Sequence, residues 1–283
     1  MVRKGELYAQ CRELIAQRDE DSADFEIKCI FQDILGEKFP MFAPKELVPD
    51  DKAAEILSVS KRRSEGYPLQ YLLGQWEFWG CNFKVGEGVL IPRPDTETLV
   101  EQVLDICRKE KLTDPKIADL CSGSGCIAVA LKKELPKAEV YAVELSEKAL
   151  YYLRQNTELN GCGDIKIISG DVLKSETARQ ITGLDVLVSN PPYLTFQDMS
   201  ELMIEVRYEP ESALFGGEDG LDFYRAVTEL WKASIKDGGF IAYEFGFGQH
   251  DAVKDILEKN GFTNVELRRD GADIIRTAAA VNN

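Results

Sequence analysis

Histidine is almost absent from this chain, with His250 the only one among 283 residues. It follows Gly248-Gln249 at the predicted start of a helix, where a surface position is expected. Seven cysteines are present, but no two of them form a Cys-x-x-Cys pair. Because histidines and paired cysteines supply most zinc sites, the sequence predicts no metal centre. The cysteines are expected to be reduced thiols, as in cytoplasmic proteins.

Long apolar runs are missing as well. No segment stays apolar over the length needed to cross a bilayer, and Met1–Glu6 lacks the apolar core of an export signal. The sequence therefore favours a cytoplasmic location and predicts no membrane partner.

Basic residues are in the minority, with 34 lysines and arginines against 49 aspartates and glutamates, a net charge of −15. Proteins that bind nucleic acid normally carry a basic surface that neutralises phosphates. Lys61-Arg62-Arg63 is one small basic run, and we interpret it as the solvated end of a helix. Direct nucleic-acid binding is not expected.

Residues 1–72 have the pattern of a small helical domain, punctuated by Gly36 and Pro40. Apolar residues recur there at helical spacing, for example Leu7, Cys11, Leu14 and Ile15. No set of residues suited to catalysis occurs in this part of the chain. Interaction, and more specifically docking of a substrate, is the role we expect for it.

Residues 73–93 differ in character and predict a β-hairpin connector. Gln75–Trp79 and Asn82–Val85 are short, aromatic and partly alternating runs, separated by Gly80-Cys81. Pro94 then suits the first turn of a helix. This helix is expected to open a further domain over residues 94–283.

From about residue 116 onwards, strand-like and helix-like segments alternate. Strands are predicted at 116–120, 139–144, 165–169, 184–189 and 239–244. Helices are predicted near 124–134, 146–159, 221–235 and 248–260. This alternation indicates an α/β fold with a Rossmann-like, doubly wound parallel sheet. The final strands, Asn264–Arg269 and Asp273–Ala278, are joined by a tight turn and therefore add a terminal antiparallel strand.

A glycine-rich segment joins the first strand of this sheet to its first helix and runs from Asp119 to Ala128. Glycines let a ligand approach the main chain, and the following helix offers unpaired N–H groups. Glu144 ends the second strand about twenty residues later, where an acidic side chain can bind ribose hydroxyls. The two features predict an adenosyl-type ligand, although a dinucleotide also satisfies them.

Asp119 favours one of these ligands. A carboxylate at the end of the first strand can bind the amino group of a methionine-derived tail, whereas it would repel a pyrophosphate. Asp171-Val172 follows the third strand, at the position expected for an adenine edge.

Asn190-Pro191-Pro192-Tyr193 directly follows the apolar strand Leu184–Ser189. The motif is therefore expected at the carboxyl end of a parallel strand, where open α/β sheets bind ligands. Each proline lacks an N–H and restrains the preceding residue, which gives a stiff loop with carbonyl acceptors. Asn190 adds a side-chain acceptor, and Tyr193 adds a flat ring. Such a loop suits a planar group carrying an NH2; an ordinary rigid turn at a strand exit is the alternative.

Taken together, these segments resemble the peptide-chain release factor glutamine methyltransferases. The matching segments cover most of the chain: Pro68–Gly74, Phe78–Gly80, Leu90–Glu97, Asp119–Ala128, Asn190–Tyr193, Glu209-Pro210 and Ala213–Leu221. Pro-Arg-Pro-Asp-Thr-Glu and Gly-Gly-Glu-Asp-Gly-Leu are the most specific of them, since Asn-Pro-Pro-Tyr also occurs in enzymes that methylate nucleobase nitrogens. The chain departs from the family pattern at Glu144, where aspartate is usual, and at Val172, where an aromatic is frequent.

The resemblance implies a class I methyltransferase that uses S-adenosyl-L-methionine and releases S-adenosyl-L-homocysteine. The methyl group would go to the side-chain amide nitrogen of the glutamine in the Gly-Gly-Gln motif of class I release factors. The implied catalytic residues are Asn190, Pro191, Pro192 and Tyr193. The implied cofactor contacts are Asp119, Cys121, Ser122, Gly123, Ser124, Gly125, Glu144, Asp171, Val172 and Asn190. Glu209-Pro210 and Glu218-Asp219, the latter within Gly216–Gly220, are expected to belong to a loop over the site.

Four alternatives stay open at this point, one of which is a non-catalytic adaptor whose helical domain binds a partner, although the intact acceptor motif argues against it. A methyltransferase acting on an adenine amine shares the acceptor motif, but the charge of −15 argues against it. A methyltransferase for another protein glutamine fits the motif equally well. A dinucleotide-binding oxidoreductase would use the glycine loop but leaves Asn190–Tyr193 unexplained. We expect a monomer whose partner is a release factor.

Overall fold

The computed structural model describes residues 1–36 and 43–283, so the expected break at Pro40 lies outside the described residues. The chain forms two compact units. The first consists of Met1–Gly74 together with the short segment Met203–Tyr208. The second consists of Gln75–Leu202 and Glu209–Asn283. The segment Met203–Tyr208 is far from the first unit in sequence, and no local pattern marks it.

The first unit is mostly helical. Its elements in chain order are β1 (Val2–Arg3), α1 (Lys4–Ala16), α2 (Ala23–Leu35), β2 (Leu47–Val48), α3 (Asp50–Ser64) and α4 (Leu69–Leu73). The strands β1 and β2 pair antiparallel. The core of the unit consists of buried side chains at helical spacing, among them Leu7, Cys11, Ile15, Ile27, Ile30 and Ile56.

Ion pairs hold the segment Met203–Tyr208 in this unit. Arg63 is only 5% exposed and donates to both carboxylate oxygens of Glu26, at 2.7 and 2.6 Å. It also donates to Glu205 at 3.1 Å, as does Arg18. The interpretation of the basic run as a solvated helix end is therefore wrong for Arg63, because two carboxylates compensate its charge inside the unit.

The second unit begins with the predicted β-hairpin, formed by β3 (Gln75–Phe78) and β4 (Cys81–Lys84). Its turn is Trp79-Gly80, one residue earlier than predicted. Both turn residues have positive φ, 52° and 65°, the conformation of the two-residue turns that match strand twist. The N–H of Trp79 is bonded to Glu97 Oε1 at 2.9 Å, which fixes the turn to the following helix.

The rest of the second unit alternates helices and strands. Its elements are α5 (Glu97–Lys109), β5 (Lys116–Leu120), α6 (Cys126–Glu134), β6 (Glu139–Glu144), α7 (Glu147–Leu159), β7 (Lys166–Ser169), α8 (Ser175–Ala178), β8 (Leu184–Ser189), α9 (Phe196–Ser200), α10 (Asp222–Trp231), β9 (Ile235–Glu244), α11 (His250–Lys259), β10 (Phe262–Arg269) and β11 (Ile275–Asn282).

In the described chain these strands form one seven-stranded sheet in the order β10-β11-β9-β8-β5-β6-β7. Strands β5 to β9 run parallel to one another, whereas β11 is antiparallel to both β9 and β10. The predicted doubly wound sheet with a terminal antiparallel strand is confirmed. The strand order reverses between β5 and β8, which is where such sheets bind ligands.

Two boundaries in this unit differ from the prediction. The helix expected over 221–235 ends at Trp231, and β9 begins at Ile235 rather than at 239. The two glycines at 238 and 239 favour a turn, which would place the start of the strand after them. Ile235 nevertheless pairs with Leu184 of β8, so the strand begins before the glycines. Here pairing with a neighbouring strand overrides a local turn signal.

Buried side chains cover both faces of the sheet. On one face, alternate residues of β8 such as Val186 and Val188 pack with residues of α5, α6 and α7. On the other face, Leu184 and Leu187 pack with α10 and α11, including the fully buried Trp231. Among the described residues, no helix is long and apolar enough to cross a membrane.

Candidate active site

A cavity of about 790 Å³ lies in the second unit, where β5, β6 and β8 end. Most of the residues predicted to form the site line this cavity: Cys121, Ser122, Gly123, Ser124, Glu144, Asp171, Val172, Asn190 and Pro192. The remaining four predicted residues, Asp119, Gly125, Pro191 and Tyr193, are not part of the lining. The structure thus brings the glycine loop and part of the acceptor motif together around one space.

The glycine loop has a backbone that ordinary residues adopt with difficulty. Gly123 and Gly125 have φ of 53° and 83°, and Cys121 adopts a φ of 59° despite its side chain. A Cβ atom at Gly125 would lie 2.3 Å from Leu153 Cδ1. Gly125 therefore serves the packing of the loop against α7 rather than the cavity wall.

Glu144 is held by main-chain N–H groups where it lines the cavity. Its Oε2 atom accepts a hydrogen bond from the N–H of Gly123 at 2.8 Å. Its Oε1 atom accepts from Leu145 and Ser146, at 2.9 and 2.8 Å. These bonds fix the carboxylate relative to the glycine loop, so an acidic oxygen is presented to any ligand in the cavity.

Asp119 lies beneath the loop and is fully buried. Its Oδ2 atom accepts from the N–H of Ala128 at 3.2 Å. Its Oδ1 atom has no hydrogen-bond partner in the described part of the chain. Burial raises the pKa of Asp119 to about 8. An unpartnered carboxylate of this kind is suited to a cationic group.

The two cysteines of the loop are not reactive. Burial raises the pKa of the Cys126 thiol to about 12, and it raises that of Cys121 further. Both groups therefore stay protonated near neutral pH, and a thiol is a poor nucleophile and metal ligand.

Asp171 and Val172 form another part of the wall. Asp171 Oδ1 accepts from the N–H of Leu173 at 2.9 Å. The carbonyl of Val172 accepts from Trp231 Nε1 at the same distance. These bonds fix the main chain after β7, at the position expected for an adenine ring.

The acceptor motif follows β8 and is held from several sides. Asn190 Nδ2 donates to Thr96 Oγ1 at 3.3 Å. The Tyr193 carbonyl accepts from Gln249 Nε2 at 2.9 Å, and a Cβ atom at Gly246 would lie 3.0 Å from the Tyr193 ring. Burial raises the pKa of the Tyr193 hydroxyl above its usual value, so it stays un-ionised. The motif presents acceptors and a neutral ring.

The segment Arg93–Glu97 connects this motif to the rest of the unit. Thr96 bonds to Asn190, and Glu97 bonds to the hairpin turn. Asp95 lies 3.7 Å from Arg276 of β11, between a carboxylate oxygen and a guanidinium nitrogen. Arg93, which lines the cavity, is paired with the buried carboxylate of Glu209.

Glu209 joins two walls of the cavity. Besides Arg93 it accepts a hydrogen bond from the N–H of Ile91 at 3.0 Å. Burial raises its pKa, while Arg93 opposes the shift. Pro210 and the next three residues line the cavity, so the expected covering loop at Glu209-Pro210 does border it. Glu209 itself does not line the cavity and acts as a support.

The loop Gly216–Gly220 braces the acceptor motif from outside the cavity. The N–H of Leu194 donates to Leu214 O at 2.8 Å, and the N–H of Gly216 donates to Leu194 O at 2.9 Å. A Cβ atom at Gly216 would lie 2.6 Å from Pro192 O and 2.7 Å from Tyr193 Cα. Only glycine allows this approach of two main chains.

Sequence reasoning missed two residues of the site, Thr96 and Glu244. Thr96 lies in a segment flagged for its specificity, but nothing local connects it to Asn190. Glu244 is a buried acidic residue at the end of β9. A charged residue that ends an apolar strand was the available signal for it.

The fold and the site define a class I methyltransferase. The chain matches the family models described as "Methyltransferase small domain" over residues 95–207 and "PrmC N-terminal domain" over residues 6–74. A methyltransferase from Pyrococcus furiosus shares the fold, with a TM-score of 0.54 and 16% identity over 83% of this chain and 100% of that one.

Two relatives are similar over most of their length. The chain is 42% identical over 236 residues to the release factor glutamine methyltransferase of Clostridium acetobutylicum, covering 83% of this chain and 82% of the relative. It is 38% identical over 241 residues to that of Thermodesulfovibrio yellowstonii, covering 85% of each. The chain belongs to the release factor glutamine methyltransferase family, which confirms the resemblance seen in the sequence.

Proposed function

We propose that this chain transfers a methyl group from S-adenosyl-L-methionine to a glutamine side-chain nitrogen in cytoplasmic class I release factors. The glutamine is that of the Gly-Gly-Gln motif. The observation that carries the proposal is one cavity lined by the glycine loop, Glu144 and Asn190 together. Membership of the release factor glutamine methyltransferase family supports the substrate.

The residues around the cavity fit S-adenosyl-L-methionine. A volume of about 790 Å³ is that of a typical small-molecule site. The unpartnered Asp119 Oδ1 suits the ammonium group of the methionine part, directly or through water. Glu144 would bind the ribose hydroxyls, and Asp171 with Val172 would border the adenine. When bound, the cofactor supplies a methyl group on a positively charged sulfur.

The acceptor motif compensates for the weak nucleophilicity of an amide nitrogen. Amide conjugation is strong, as rotation barriers of about 18–20 kcal/mol show. Asn190 Oδ1 and the Pro191 carbonyl would each accept one N–H of the substrate amide, which fixes the nitrogen and favours its pyramidalisation. Tyr193 would pack on the amide plane. Most of the rate gain would come from the orientation of the amide nitrogen relative to the methyl group of the cofactor.

No residue needs to act as a strong base. The amide nitrogen becomes far more acidic once it is methylated, so water can accept the proton. His250 lies at the start of α11 and does not line the cavity. The neutral Tyr193 hydroxyl is consistent with packing rather than proton transfer.

Docking of the release factor is assigned to the helical part, residues 1–72 of the sequence prediction. We further propose that the enzyme acts as a monomer and binds no nucleic acid directly, in line with its charge of −15.

Labelled S-adenosyl-L-methionine and a purified class I release factor test the function. Mass mapping should place the label on the Gly-Gly-Gln glutamine. A release factor with glutamate at that position should stay unlabelled, since it offers no NH2 to the paired acceptors. Faster labelling of adenine in DNA, or of another glutamine protein, would reject the assignment of the substrate.

Replacing Glu144 by alanine should weaken binding of S-adenosyl-L-homocysteine. The loss of charge-assisted hydrogen bonds to the ribose should cost about 1.5–3 kcal/mol of binding free energy. Calorimetry measures the change, and Glu147→Ala is the matched control, because Glu147 is exposed and does not line the cavity. Equal affinities of the wild type and Glu144→Ala would reject the ribose contact.

Cofactor binding should release a proton from Asp119. Without a ligand its pKa is about 8, so the carboxyl group is mostly protonated at pH 7. An ammonium partner favours the ionised form and lowers the pKa. Affinity for S-adenosyl-L-homocysteine should therefore rise with pH up to about 8. Calorimetry at pH 7 in buffers of different ionisation enthalpy measures the release, which Asp119→Asn should abolish. Undiminished release in that variant would assign the proton to another group.

A further inference from the structure

A second buried carboxyl group lies beside the acceptor motif and has no part in the chemistry above. Glu244 ends β9 and is 2% exposed. Strands β8 and β9 are parallel with Ser189 beside Tyr243, so Asn190 and Glu244, the next residues along, are neighbours. Glu244 Oε2 is buried without a hydrogen-bond partner among the described residues. A group that is so costly to bury calls for a functional explanation.

The remaining contacts of this carboxyl group connect it to Asn190. Thr96 and Asn190 both lie close enough to this carboxyl group to lower its pKa, and Asn190 Nδ2 donates to Thr96 Oγ1 at 3.3 Å. An ionised carboxylate accepts hydrogen bonds and cannot donate them. Only the Nδ2 side of the Asn190 amide can therefore face Glu244, which leaves Oδ1 on the opposite side of the amide.

We propose that Glu244 is a positioning residue that holds the Asn190 amide, directly and through Thr96, with Oδ1 presented to the substrate. The inference rests on the proposed function, in which Asn190 Oδ1 accepts a substrate N–H. A glutamine or a protonated carboxyl group at position 244 can donate as well as accept. The Asn190 amide can then rotate so that Oδ1 faces position 244 and Nδ2 faces the substrate. In that orientation Nδ2 is a hydrogen-bond donor that faces the N–H donors of the substrate amide.

The surroundings of Glu244 set the pH at which it ionises and holds the Asn190 amide in one orientation. Burial raises the pKa of Glu244 to about 7, whereas the neighbouring Thr96 side chain and the charge of Arg276 lower it. Asp95 opposes ionisation, and Asp270 is paired with Arg276. The other titratable groups that face Glu244 stay neutral near pH 7 because burial raises their pKa: Tyr193, Tyr224 and Cys126.

The wild-type rate at saturating cofactor should therefore depend on pH. Below pH 7 the carboxyl group is protonated and loses its exclusive preference for Nδ2. The kcat for methyl transfer should rise as pH increases through about 7 and level off above it. Asp119 titrates in the same region, but it acts on cofactor affinity, so saturating cofactor separates the two groups.

Glu244→Gln tests the inference with almost no change of shape. We expect kcat to fall roughly 10- to 100-fold, since a misplacement of about 1 Å can cost about 100-fold. The affinity for S-adenosyl-L-homocysteine should be unchanged, and the step near pH 7 should disappear. A kcat within about twofold of the wild type, with the same pH profile, would overturn the proposal.

Loss of folding does not explain the expected result. Because the pKa of Glu244 is raised in the folded protein, ionisation removes stability as pH rises from the unfolded value of 4.5 through about 7. The glutamine variant avoids this loss, so its thermal midpoint at pH 8 should equal or exceed that of the wild type. A purely structural role for Glu244 predicts a lower midpoint.

Two further measurements complete the test. Thr96→Ser should recover most of the rate that Thr96→Val loses, because only serine keeps the hydroxyl. The side-chain 15N resonance of Asn190, assigned with Asn190→Ala, should shift near pH 7 in the wild type and not in Glu244→Gln. A resonance that titrates equally in both proteins contradicts the inference. If the wild type transfers no methyl group to a release factor, the proposed function fails, while the resonance still decides the role of Glu244.

Discussion

Asn190→Ala should reduce methyl transfer to the release factor by roughly 100-fold or more. The alanine leaves a substrate N–H without its acceptor in a desolvated pocket, which costs about 1–3 kcal/mol. It also removes the group that aligns the amide nitrogen, from which most of the rate should come. Single-turnover rates with labelled S-adenosyl-L-methionine measure the effect. Most of the affinity for S-adenosyl-L-homocysteine should survive.

Two variants sharpen this prediction. Asn190→Asp keeps an acceptor but adds charge beside the bound amide, so it should retain some activity rather than none. Asn82→Ala is the matched control, because Asn82 is an exposed asparagine of the hairpin, far in sequence from the motif. If Asn190→Ala transfers methyl as fast as Asn82→Ala, then Asn190 is not the acceptor.

Local sequence patterns predicted the fold well because a strand or a helix can be recognised from residues that are close together in the chain. The alternation of apolar strands and amphipathic helices needs only a few residues to register, and it gave the parallel strands to within a few positions. The placement of Asn190–Tyr193 after β8, and of the glycine loop after β5, follows from chain order alone. Parallel strands end at the same edge of a sheet, so both loops had to border one region.

Partners that are distant in sequence were beyond such reasoning. Thr96 and Asn190 are 94 residues apart, and Arg93 and Glu209 are 116 apart. Arg63 resembled a solvated helix end because its neighbours Lys61 and Arg62 are basic, yet Glu26 and Glu205 enclose it. Only the tertiary fold decides whether a charge has a partner, and therefore whether it is buried.

The same limit applies to the loop Gly216–Gly220. Its sequence marked it as specific, but only the structure shows that it braces the acceptor motif rather than lining the cavity. A glycine that is needed for a close approach looks, in sequence, like a glycine of any turn. The physical role of Gly216 follows from distances that no periodicity encodes.

Gly216→Ala should therefore impair catalysis without touching the cavity. Its methyl group would lie 2.6 Å from Pro192 O and 2.7 Å from Tyr193 Cα, and both atoms belong to the main chain. Because neither can rotate away, the two main chains must move apart, and we expect the acceptor loop to shift. A shift of about 1 Å should cost about 100-fold in kcat, together with about 1–3 kcal/mol of folding stability from overpacking. Binding of S-adenosyl-L-homocysteine should change little.

Gly271→Ala provides the matched control for this prediction. A Cβ atom there meets nothing within 4 Å, and neither glycine has a positive φ, so the comparison shows the effect of the space available to the added methyl group. Methyl-transfer kinetics and thermal unfolding of both variants separate the loss of alignment from the loss of stability. If Gly216→Ala is destabilised but transfers methyl as fast as Gly271→Ala at a temperature where both are folded, the loop only stabilises the fold. A selective loss of kcat in Gly216→Ala would instead show that the loop sets the position of the acceptor carbonyls, since the two closest atoms to the added methyl group belong to Pro192 and Tyr193.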